Sequence, residues 1–137
     1  MFFFNKKDEN QDKDITFITA LLIHAAKIDE NFSLKEENII KKALLKLGQN
    51  ENDLEKIIQD AKKIEEKSNQ ILDFTKKVKN MKEENKIKII ETLWEIIYSN
   101  NEADIYETSL MRRLTGLLYI DSKVMGDIKE KIKNKIE

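Results

Sequence analysis

Apolar residues along this chain recur at intervals of three and four, the spacing that puts them on one face of an α-helix. Ile15, Ile18, Leu21, Leu22, Ala25 and Ala26 mark a first core helix from Asp14 to about Ile28. Ser33-Leu34-Lys35-Glu36 has the form of a capping box, in which the serine and the glutamate satisfy each other's backbone N–H groups. Behind it Ile39, Ile40, Ala43, Leu44 and Leu47 form the stripe of a second helix that Gly48 should end. A third, starting at Asn50 or Asn52, carries Leu54, Ile57, Ile58, Ala61 and Ile64 against an almost wholly charged opposite face, so it should lie at the surface.

Ile71, Leu72, Phe74 and Val78 predict a shorter helix from about Asn69 to Asn80, followed by a polar segment, Lys82 to Lys86. Ile87 to Tyr98 is apolar nearly all round, with Ile90, Leu93, Trp94 and Ile97 as its main stripe. It should be the centre of the core. A second capping box, Asp104-Ile105-Tyr106-Glu107, opens a sixth helix through Leu110, Met111, Leu114, Leu117 and Leu118. A seventh begins near Asp121-Ser122; its narrow Val124, Ile128, Ile132 stripe suggests docking by one edge and fraying after Lys133. No segment alternates with strand period over a useful length. The expectation is an all-α fold, a single compact bundle of about seven helices.

The chain also resembles itself. Residues 21–48 and 92–119 superpose at an offset of 71, placing Ser33 on Asp104, Glu36 on Glu107 and Ile39-Ile40 on Leu110-Met111. Each half is then a core helix, a polar turn and a capped amphipathic helix, which reads as two pseudo-repeated hairpins. The domain reading is a flexible N-terminal segment, 1–13, and one helical domain, 14–137, since no linker suited to a second domain interrupts the rest.

Composition narrows the chemistry. With 137 residues, no proline and three glycines, the chain favours long helices with short connections. The absence of cysteine removes disulfides, thiolate metal sites and thiol nucleophiles, and His24 alone makes no histidine cluster. No nucleophile relay, phosphate loop or cofactor fingerprint is present, so an enzyme is not expected and no cofactor is required. A net charge of −1 argues against a nucleic-acid binder. The one basic run, Lys76, Lys77, Lys79, Lys82, Lys86 and Lys88, lacks interleaved aromatics and reads as a solvated face. Phe2-Phe3-Phe4 lacks the charge-first layout of a signal peptide, and no stretch approaches the ~20 apolar residues of a membrane span. A cytoplasmic location is expected.

The stretch Leu93-Trp94-Glu95-Ile96-Ile97-Tyr98, the turn to Asp104, Glu107, Arg112-Arg113 and Leu117-Leu118 resembles the second half of the TerB family of tellurite-resistance and DjlA-like domains. Ala25-Ala26-Lys27-Ile28-Asp29, with Glu36 seven residues on, resembles its first half. The likeness covers about residues 15 to 120. Where the family has Asp-Gly in each turn, this chain has Asp29-Glu30 and Asn100-Asn101. The resemblance implies a helical bundle linked to tellurite or broader stress responses, acting through acidic residues and protein partners, with a membrane-associated complex as one setting.

The turn carboxylates Asp29, Glu30, Glu36, Glu102, Asp104 and Glu107 are the candidate metal ligands, for a hard cation such as calcium or magnesium bound weakly. From Asp29 the spacing imitates an EF-hand loop through Asn31 and Ser33, but Leu34 stands in place of the turn glycine and Ile40 in place of the last glutamate. Helix capping by Ser33, Asp104, Glu36 and Glu107 is the preferred account, worth about 1 kcal/mol per helix. Arg112 and Arg113 are candidate contacts for an acidic partner, although Arg112 is also placed to pair with a glutamate on a solvated face. The leading expectation is a partner-binding module; the alternative is a divalent-metal sensor built on the same carboxylates.

Overall fold

The computed structural model describes residues 15–27, 33–67, 72–99 and 105–136. The 1–13 segment, Asp29, Glu30, Glu102 and Asp104 lie outside them. Seven α-helices and no strand form the described chain: α1 (15–26), α2 (Leu34–Lys46), α3 (Leu54–Lys67), α4 (Leu72–Val78), α5 (Glu83–Tyr98), α6 (Ile105–Leu117) and α7 (Ser122–Ile136). A 3-10 turn, Glu51–Asp53, leads into α3.

Two helices share the centre. α5 buries Ile89, Ile90, Leu93, Trp94, Ile96 and Ile97, as its all-round apolar sequence requires. α1 is buried as thoroughly, from Ile18 through Ala26 apart from His24. Thr19 and Thr92 are accommodated inside because each hydroxyl donates to the carbonyl four residues back, Ile15 O at 2.7 Å and Lys88 O at 2.8 Å. α2 and α7 both pack along α5. α3 lies outermost on one side, burying Leu54, Ile57, Ile58 and Ala61 while most of its other positions are exposed.

α2 and α6 end in the same way. Gln49 N–H reaches back to Leu44 O (3.0 Å) and Gly48 N–H to Leu45 O (3.1 Å), a Schellman turn with Gly48 at φ 98°. Seventy-one residues later Ile120 N–H bonds Thr115 O (3.1 Å) and Tyr119 N–H bonds Gly116 O (3.4 Å), with Tyr119 at φ 56°. The boundaries of α2 and α6 are also 71 residues apart. α2 and α6 are thus matched in length and in terminal hydrogen bonding, whereas the helices that precede them, α1 (15–26) and α5 (Glu83–Tyr98), differ in length.

Three expectations need correction. α5 starts at Glu83, so Lys82 to Lys86 is mostly its first turn, where Glu83 and Glu84 sit at the positive helix end. Lys86 leaves the basic face altogether: it is 7% exposed, and its Nζ donates to Leu118 O at 3.1 Å, answering a carbonyl just past the end of α6. α7 continues to Ile136, past the fraying expected after Lys133, and buries Met125 as well as Ile128 and Ile132 where it packs along α5.

Candidate functional site

The start of α2 and the end of α5 lie side by side. Lys35, at the start of α2, donates from Nζ to Ser99 O, just past α5, at 2.7 Å. The chain flanking residues 28–32 is thereby brought against the chain flanking residues 100–104. A hollow of about 240 Å³ adjoins this bridge, with Tyr98, Glu95 and Lys135 among its walls.

Glu36 does what a capping-box glutamate does. Its Oε1 accepts from Ser33 N–H and from Ser33 Oγ, each at 2.9 Å, while Glu36 N–H donates to Ser33 Oγ at 3.1 Å. The side chain is only 3% exposed. Glu107, its counterpart in the first turn of α6, is buried too. Asp29, Glu30, Glu102 and Asp104 fall outside the described residues, so the two halves of the proposed cation site are represented here by Glu36 and Glu107 alone.

One buried carboxylate escaped the sequence reading. Glu65 of α3, 8% exposed, accepts from Lys27 Nζ at 2.6 Å and lies 3.3 Å from His24 Nδ1. His24 also leans on Phe74 at 6.0 Å between ring centroids. This cluster ties the end of α1 to α3, and His24 is half-buried packing. A second seam joins α2 to α3: Lys41 bridges Glu37 and Glu55, and Lys62 reaches Glu37 at 3.4 Å. The Gln59 amide and then Lys41 hold the exposed Glu55 carboxyl below the ordinary glutamate range.

Arg112 and Arg113 are both exposed on α6, and they differ in setting. Arg112 borders an open groove of about 540 Å³ between α6 and α7, which Arg113 does not line. The glutamate expected to pair with Arg112 is not found among the described residues. α6 presents Thr108, Arg112, Thr115 and Gly116 to the groove, at spacings of four, three and one. Facing them on α7 are Ser122, Met125, Gly126 and Lys129. Trp94 of α5 also lines the groove while being 2% exposed. Lys129 Nζ stands 5.5 Å from the centre of its ring, and its indole N–H has no hydrogen-bond partner.

Among the described residues the fold is an all-helical bundle in which α2 opens on a capping box. The chain belongs to the TerB family: the family model described as tellurite resistance protein TerB matches residues 16–130, from α1 into α7. No curated protein and no solved structure matches. Among the described residues no helix is long and apolar enough to cross a membrane.

Proposed function

We propose that this protein is a non-catalytic helical module that binds a partner protein in a tellurite or general stress response, with a membrane-associated complex as one setting. Membership of the TerB family across residues 16–130 is the observation that carries this reading. The exposed pair Arg112-Arg113 supports it, because guanidinium groups on a helix face favour bidentate recognition of carboxylates. The metal-sensing alternative draws on the same turns, and of its ligands Glu36 is already engaged in a capping box.

Deleting the gene should sensitise cells to tellurite or to a related stress, and the intact chain should restore tolerance. Affinity purification from stressed cells should recover a stoichiometric protein partner. Unchanged tolerance in the deletion strain, together with recovery of the chain alone, would sink the reading.

A further inference from the structure

The groove between α6 and α7 has three properties that the packing of the bundle does not account for. Its walls are helical stripes: positions 108, 112, 115 and 116 on one side and 122, 125, 126 and 129 on the other, each running about two turns. Each stripe carries a glycine, and a Cβ built on Gly116 or Gly126 would meet nothing within 4 Å. The space above both backbones is open. Second, the charge is one-sided: Arg112 and Lys129 stand on the walls, and no acidic residue is among the described residues that line them. Third, Trp94, one of the lining residues, keeps a buried indole N–H without a partner among the described residues. Buried donors are nearly always paired.

We infer that this groove receives an amphipathic helix of the partner protein, its apolar face against Met111, Ile120 and Met125 and its flanking Asp or Glu side chains on Arg112 and Lys129. A groove walled by two helices with a small residue on each can receive a third helix with residues at i, i+3, i+4 and i+7. Cations on walls that carry no acidic residue among the described ones favour an acidic occupant, since like charges brought together on docking are penalised. The assignment rests on the partner-binding function above and adds where the partner sits and what it must present.

The test uses the full chain and a fluorescent synthetic helix with Leu at i, i+3, i+4 and i+7 and Glu on both flanks. Saturable binding is expected in the micromolar range, roughly 10–100 µM, with movement of the indole N–H resonance of Trp94, the sole tryptophan. Gly126→Leu projects a side chain into the groove from a helical backbone where a Cβ meets nothing within 4 Å, and leucine is the better helix former, so the melting temperature should not fall. That variant and Arg112→Glu should each weaken binding at least about tenfold. Equal binding of a Lys-flanked peptide, undiminished binding by Gly126→Leu, or no saturation would overturn the assignment. So would displacement of the peptide by dodecanoate at lower concentration, which would make the groove a site for a small amphiphilic acid. Affinity purification with wild type and Gly126→Leu separates the two readings. A partner retained by both removes the groove and keeps the binding module; a partner lost from the variant alone supports the groove. No partner with either, while the peptide still binds, would overturn the stress-partner reading alone.

Discussion

Trp94 concentrates the physical tensions of this protein in one side chain. It is 2% exposed, stacks on Tyr98 at 5.8 Å between ring centroids and leaves its N–H unanswered. Trp94→Ala should cost about 3–5 kcal/mol in a denaturant melt, because it removes the ring and leaves a cavity. Trp94→Phe should cost less than half as much, since it keeps an aromatic ring and deletes the unpaired donor. Equal losses in the two variants would show that the indole N–H has a partner after all. Glu65 is the other residue whose importance its neighbours create. Glu65→Ala should lose about 1 kcal/mol, the partly exposed Lys27 and His24 limiting the value of the cluster. Its place four residues after Ala61 and seven after Ile58 puts it on the buried stripe, unlike Glu66 or Glu55, but its partners lie 38 and 41 residues away in sequence, beyond the reach of any local pattern.

The helices depend on their ends as much as on their stripes. Ser33→Ala should lose about 1 kcal/mol through the cap on α2, and thermal melts of the single variant would measure it. At the other end of that helix Gly48 occupies a left-handed conformation, φ 98°, that an added Cβ resists. Gly48→Ala should therefore destabilise by about 1 kcal/mol. The equivalent turn after α6 holds Tyr119 at φ 56° with 71% of its surface exposed. Here the expectation reverses: Tyr119→Gly should raise stability by about 0.5–1 kcal/mol, relieving the strain of an L-residue in that region and giving up little buried surface. A fall in melting temperature on Tyr119→Gly would mean that the tyrosine makes a contact worth more than the strain. The capping box and the glycine stop were both legible as short motifs. The Tyr119 turn was not, because its Schellman hydrogen bonds form without the residue that usually signals them.

For the molecule as a whole, the acidic turn residues decide between a partner surface and a cation site. With Glu36 committed to its cap and asparagines at positions 100 and 101, calcium should bind at about 10⁻⁴ to 10⁻³ M or not at all. Amide shifts followed through a calcium titration, repeated with Asp29→Asn, would check this; micromolar binding abolished by the substitution would favour the metal sensor. Circular dichroism of the full chain should be dominantly helical. By itself the sequence determined the all-helical class, the capping box at Ser33, the stop at Gly48, the burial of Trp94 and the family, because periodicity, caps and short motifs act between residues a turn or so apart. Tertiary structure alone decided that Lys86 turns inward to Leu118 across 32 residues, that Glu65 anchors α1 to α3, and that Arg112 borders a groove while Arg113 does not. Those outcomes depend on which helix faces meet, and a stripe of apolar residues says that a face is buried without saying against what.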